Sequence, residues 1–292
     1  MKTVHKRDSR RRPGSLGRVC LWLGLVALGL ALVFLCTECR RPAPTSLPRA
    51  HDVSVPDNGA AFAGLPAGLD LTVLGNEAFV VGYDEERRNP AWVAYRLAGP
   101  AKFTGHERPS GFTTDKRTTA RVRHGDYTHS GYNRGHMAPS YGIYSRYGKS
   151  AQMETFLMSN VCPQDGELNA GRWRQLEALV AGQEPSDPSW AEKYGEVWVI
   201  TGPIFDAERT FLPSGVEIPD AFYKIILDLD EQTGRPRVLA FVMRNKPAAE
   251  GLESYLRSVD EIESRTGLDF FRQLDDDVEC KLQRTAAGAL WN

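Results

Sequence analysis

Between positions 108 and 177 the chain carries a set of side chains able to do hydrolytic chemistry. His136 has a rigid local frame in GYNRGHMAPS (131–140), with Gly135 before it and Pro139 three residues after. Arg134 stands two residues ahead of it and Arg108 further upstream. Asn160 and Asn169 are nine residues apart, and Glu177 follows eight further on. Asn169 opens a predicted helix; eight residues rotate a helix by about 80°, so Asn169 and Glu177 face the same general quadrant. Amide and carboxylate oxygens with spare water positions suit Mg2+, or Mn2+ in its place. A neutral imidazole beside a hydrated metal suits water activation near neutral pH. Each residue also has a plain reading: a loop histidine, an Asn that only caps a helix, a solvated glutamate, a surface arginine. The fold has to gather them for the chemical reading to win.

The elements that must position them can be read from periodicity. AFVVGYD (78–84) and AWVAYRL (91–97) predict strands joined by a charged turn. A polar, glycine-dotted stretch, 98–135, follows, too long for an idle connection in a compact domain. METFLMSNV (153–161) is apolar with a polar tip. NAGRWRQLEALVAG (169–182) has helical spacing, with Trp173, Leu176, Leu179 and Val180 on one face and Gly182 as a stop. GEVWVITGPIF (195–205), AFYKIILDLD (221–230) and RVLAFVMRN (237–245) predict further strands, and 252–267 a polar-faced helix or helix pair ending at Gly267. Helices interrupting antiparallel strands give an α+β class.

The N-terminus is organised differently. Residues 1–18 form a basic tail, and 19–36 are uncharged and almost wholly apolar, just long enough to cross a bilayer core. Seven Lys/Arg precede the run and three follow closely, so the positive-inside rule sends the body of the chain across. The expectation is a membrane anchor at 19–37, a tether at 38–65 and a domain at 66–292. The domain is then extracytoplasmic, periplasmic or extracellular, and secreted if the apolar segment is a cleaved signal. Two of the five cysteines, Cys162 and Cys280, fall in the domain and could pair there. Residues 51–292 hold 26 Lys/Arg against 35 Asp/Glu, which counts against a general nucleic-acid binder. Residues 101–174 reverse that sign, with 11 basic against 6 acidic side chains, and a phosphate site needs positive charge only locally. Neither a G-x-S-x-G elbow nor a Walker loop is present, so acyl transfer and nucleotide hydrolysis have no support.

Three segments in order, YNRGHMAPS, FLMSNVCPQ and LNAGRWRQLE, together resemble the DNA/RNA non-specific endonuclease family. The resemblance runs from about residue 89 to 271. It implies the ββα-metal (His-Me finger) fold and a metal-dependent endonuclease that hydrolyses DNA and RNA with little sequence preference. It implies His136 as general base, Asn169 as the direct Mg2+ ligand and Glu177 as the holder of metal-bound water. Arg108 matches the arginine aimed at the scissile phosphate, while Arg134 and Asn160 would orient the histidine loop and contact substrate. A homodimer is a further expectation. Asn133 departs from the family's commonest pattern, which has aspartate there. That loss of charge, with the acidic domain, favours a rival: a catalytically weak nuclease-fold module that binds nucleic acid or a partner.

Overall fold

The strand-forming runs pair, all antiparallel, into a seven-stranded sheet. In chain order its members are β1 (Thr72–Gly75), β2 (Phe79–Asp84), β3 (Asn89–Ala98), β6 (Glu196–Ile204), β7 (Ala221–Leu229), β8 (Pro236–Arg244) and β9 (Leu256–Arg257), and they neighbour one another in that same order. The strands missing from that run, β4 (Asn133–His136) and β5 (Val161–Gln164), form a separate two-stranded antiparallel ribbon. The class is therefore mixed α and β with a mainly antiparallel sheet. This computed structural model describes residues 59–183, 189–206, 208–246 and 250–291, all inside one unit, Arg49–Asn292. The basic tail and the apolar segment at 19–37 lie outside the described residues. Among the described residues no helix is long and apolar enough to cross a membrane.

Strand alternation sorts the apolar side chains onto two faces. On β7, Phe222 and Ile226 join one core, while Tyr223, Ile225 and Leu227 join the other. The first core is roofed by the ribbon and by helices α1 (Ser140–Tyr147), α2 (Lys149–Thr155), α3 (Gly166–Leu168), α4 (Arg174–Ala181) and α5 (Trp190–Lys193). The second is covered by α6 (Val259–Thr266), α7 (Asp276–Gln283) and the chain before β1. Ala60, Phe62 and Leu65 pack there, and Trp198 Nε1 donates to Gly59 O at 3.1 Å. Residues 59–65, expected as tether, are thus part of the folded body, because their apolar side chains find cover on the sheet.

The long segment after β3 is pinned rather than free. Glu85 at the end of the β2 turn accepts from the amides of Thr119 (3.0 Å) and Ala120 (2.8 Å). Buried Asp115 accepts from the Arg117 guanidinium and, at 2.7 Å, from Ser159 Oγ. These bonds tie 98–132 to the sheet on one side and to the residue preceding Asn160 on the other.

Candidate active site

His136 is the last residue of β4, paired across the ribbon with Val161, while Asn133 faces Gln164. The glycine before it has a steric cause. A Cβ on Gly135 would lie 2.4 Å from Gln164 Oε1, since that buried side chain crosses over the backbone. The turn after His136 is held by Asn160, which is fully buried. Its Oδ1 accepts from Ala138 N (2.8 Å), its Nδ2 donates to Ala138 O (3.0 Å) and Thr155 O (2.9 Å), and its carbonyl takes Met137 N. Asn160 therefore fixes the path of the histidine loop. The expected contact to substrate is corrected: an amide buried to 0% with both ends engaged is not presented to a phosphate.

The ring of His136 lies in an aromatic slot, with Phe112 at 5.0 Å and Phe156 edge-on at 4.8 Å between centroids. It is 8% exposed, and Nε2 is buried with no hydrogen-bond partner. Burial first, and then the charge of Arg108, push the imidazole down to about 3. The ring is neutral at every physiological pH. Arg108 itself is exposed, with its guanidinium carbon 5.4 Å from the Phe156 centroid, and makes no ion pair among the described residues. An arginine poised beside a neutral histidine without a carboxylate of its own is an anion-binding arrangement.

Arg134 is spent differently from expectation. Its Nε and Nη2 donate to His124 O (3.1 and 2.7 Å), and Nη2 also reaches Thr128 Oγ1 (3.2 Å). It braces the 3-10 turn His124–Tyr127 beside the ribbon, so it too orients the loop. The same ribbon buries Cys162 as a free thiol, which removes the expected option of a bond to Cys280.

After β5 the chain turns into helix earlier than the sequence suggests. Asp165 is the N-cap, its side chain accepting from Glu167 N at 2.8 Å, so α3 starts at Gly166 and not at Asn169. Asn169 begins a π turn, Asn169–Trp173, in which Gly171 has non-helical angles (φ −102°, ψ −110°). The wider turn breaks the regular 100° step, so the simple rotation between Asn169 and Glu177 does not carry through. Asn169 is half-buried, and its side chain has no hydrogen-bond partner among the described residues. From Arg174 the helix is regular: Trp173, Leu176 and Val180 are buried as expected, and Gly182 closes it at φ +78°.

Glu177 lies on the inner side of α4. Its Oε1 is buried without a hydrogen bond, 3.9 Å from the Nζ of Lys224, while its side chain keeps 21% of its surface. Burial raises its pKa above the ordinary carboxylate value, against the opposing charge of Lys224, the indole N–H of Trp173 and the charge of Arg108. Arg108 thus acts on both His136 and Glu177, which links the loop, the ribbon and α4 electrostatically.

The model of the family described as DNA/RNA non-specific endonuclease matches residues 59–277. The chain belongs to that family. It is 31% identical over 224 residues to human mitochondrial endonuclease G, an alignment covering 71% of each chain. It is 32% identical over 229 residues to the mitochondrial nuclease EXOG of Danio rerio, covering 72% of this chain and 64% of the relative. A crystal structure of an EndoG/EndoGI complex superposes with a TM-score of 0.66 at 27% identity, over 75% of this chain and 92% of that one. These relatives place the chain among nucleases of the endonuclease G and EXOG type. The family match begins at residue 59, where the described fold also begins.

Sequence reasoning found the residues of the ribbon and α4 but not what surrounds them. Phe112 and Phe156, which desolvate His136, carried no chemical signal. Lys224 did: it is an ionisable residue at an inward position of a mainly apolar strand, between Phe222 and Ile226.

Proposed function

We propose that the chain is a metal-dependent endonuclease that hydrolyses phosphodiester bonds of DNA and RNA with little sequence preference. The observation that carries the reading is a buried His136 with an unbonded Nε2 beside an Arg108 that makes no ion pair among the described residues. His136 takes a proton from the attacking water on an imidazole nitrogen. Its basicity, low in the resting protein, rises when an anionic phosphodiester enters and offsets the charge of Arg108. Arg108 binds a non-bridging phosphate oxygen and stabilises the charge that builds there. Backbone recognition of this kind reads no bases, which supports cleavage with little sequence preference.

The donor set fits a hard cation. Asn169 has an amide with no hydrogen-bond partner among the described residues and Glu177 has a partly exposed carboxylate; no cysteine or second histidine competes in that set. Asn169 would hold Mg2+ or Mn2+, and Glu177 would orient its water. When bound, the metal supplies charge neutralisation at the phosphate and the leaving oxygen. We also read residues 19–37 as a membrane anchor that leaves the nuclease domain extracytoplasmic, a reading supported by the basic tail ahead of them.

The test uses the full chain with plasmid DNA and with RNA, in Mg2+ and in EDTA. Expected are cleavage of both in Mg2+, none in EDTA, and a loss of about a thousandfold or more in His136→Ala, the scale of a general base. Mg2+-dependent binding without turnover would instead establish the binding-module reading. An alanine variant that cuts like wild type removes His136 from the chemistry.

A further inference from the structure

Strand β7 carries two buried ionisable side chains, Lys224 and Asp228, and Asp228 is answered by the Arg237 guanidinium at 2.7 Å. Phe222 and Ile226 face the core under the ribbon, and Lys224 stands between them at 0% exposure. Burying an ammonium costs several kcal/mol unless something answers its charge. Three groups meet it: the Tyr95 hydroxyl at 3.5 Å, the face of Trp173 at 4.4 Å and Glu177 Oε1 at 3.9 Å. The first two are neutral. Glu177 is the one carboxylate within 4.0 Å of Lys224 Nζ among the described residues. Apolar side chains of similar volume in place of a buried ion pair are often neutral or stabilising, so stability alone does not call for this lysine.

We propose that Lys224 is a positioning residue for the nuclease site, its ammonium holding the inner oxygen of Glu177 so that the carboxylate presents its outer side to the metal-binding region. This rests on the nuclease reading above. Trp173 supplies the floor: as the last residue of the π turn it is one turn before Glu177 on the same face, and its buried ring takes the ammonium at 4.4 Å. The contact at 3.9 Å is one between charges rather than a hydrogen bond, so it fixes position without consuming the lone pairs of the carboxylate.

The experiment compares wild type, His136→Ala, Lys224→Met, Glu177→Gln and the Glu177→Gln/Lys224→Met double variant in the full chain. Each is followed by steady-state cleavage of plasmid DNA in Mg2+ and by thermal unfolding. Lys224→Met is expected to unfold below the wild-type temperature, because it leaves Glu177 Oε1 buried without its counter-charge, and the double variant, which removes both charges, above Lys224→Met. The kcat of Lys224→Met falls about 10–100-fold, the scale for removing a partner of a site residue, with KM for DNA within about threefold. The double variant is expected to be no slower than Glu177→Gln, because the lysine acts through the glutamate. A folded Lys224→Met with kcat within about threefold of wild type overturns the proposal, as do losses that multiply in the double variant. If Lys224→Met does not fold, the double variant decides: folding there shows that the lysine answers Glu177, and failure there shows a role elsewhere. A wild type that does not cut overturns the nuclease reading itself, whereas a cutting wild type with an equally active Lys224→Met overturns only the role of Lys224.

Discussion

Two glutamates lie on opposite faces of the same sheet, and their surroundings differ in kind. Glu263, on α6, is 4% exposed, and its Oε1 accepts from Phe270 N (2.9 Å) and Gln283 Nε2 (3.0 Å). It ties α6 to the chain that follows and to α7, and its neighbours Asp269 and Glu279 have oxygens within 4.8 Å of its own. Glu177, on α4, has an inner oxygen with no hydrogen bond and a buried ammonium nearby. A buried acid that is fully bonded is a structural joint. One left with spare lone pairs beside a buried ammonium is held for something that arrives later.

Breaking each glutamate in turn gives the widest separation of the two faces. Glu177→Gln is expected to lower kcat by about 10–100-fold, since in the proposed mechanism it removes the group that orients the metal's water. Glu263→Ala is expected to leave kcat per folded molecule unchanged at 25 °C but to cost about 1–3 kcal/mol, because Phe270 N and Gln283 lose a buried acceptor. Steady-state cleavage and thermal unfolding of both variants check this. Equal activity losses would end the contrast.

How much of this contrast was legible in the sequence depends on what each signal consists of. The strands at 78–84, 91–97, 195–205, 221–230 and 237–245 announce themselves by β-branched and aromatic runs, and all are present. His136, Asn169 and Glu177 were found because glycine, proline and helical spacing mark their local frame. The start of α3 was misplaced because a single capping aspartate, Asp165, is a weaker mark than the apolar stripe that begins at Trp173. Helix α1, SYGIYSRY, has a glycine and β-branched and aromatic residues in its interior, so propensity argues against it. It forms because Gly142 lets it approach Pro139 and Ala181 closely, a tertiary cause. The roles of Asn160 and Arg134 were blurred for a similar reason: residue type says what can bond, and only the fold says that Ala138, Thr155 and His124 already do.

The acid side of the pH profile sharpens the comparison next. In the proposed mechanism His136 works as the neutral ring, and with its pKa pushed down to about 3, protonation removes that form only as pH falls through 3. In the same mechanism Glu177 works as the carboxylate, and with its pKa raised to about 6, that form is lost first on acidification. The acid limb of kcat/KM is therefore expected to belong to Glu177, with a slope of about tenfold per pH unit for a single proton. Measured from pH 4.5 to 8, the residual activity of Glu177→Gln is expected to lose that limb. An identical limb in the variant would assign it to another group.

The smallest expected effect concerns Asn133, where the resemblance to the family leads one to expect aspartate. It is exposed at the start of β4, and its Nδ2 lies 3.5 Å from where a Cβ on Gly166 would sit, at the opening turn of α3. Asparagine can hold that position by shape, so aspartate is expected to change charge and little else. One added negative charge in a solvated setting is worth about 1 kcal/mol or less across several ångströms, and Asp165 and Glu167 already stand nearby. Asn133→Asp is thus expected to lower the Mg2+ concentration for half-maximal rate by about two- to fivefold while kcat moves by less than about threefold. The gain is expected to shrink as salt rises and screens it. Initial rates across a Mg2+ titration at low and high ionic strength measure both. A kcat change beyond about tenfold would mean that residue 133 shapes the turn before His136, and would move it from the solvated rim to the histidine's own frame.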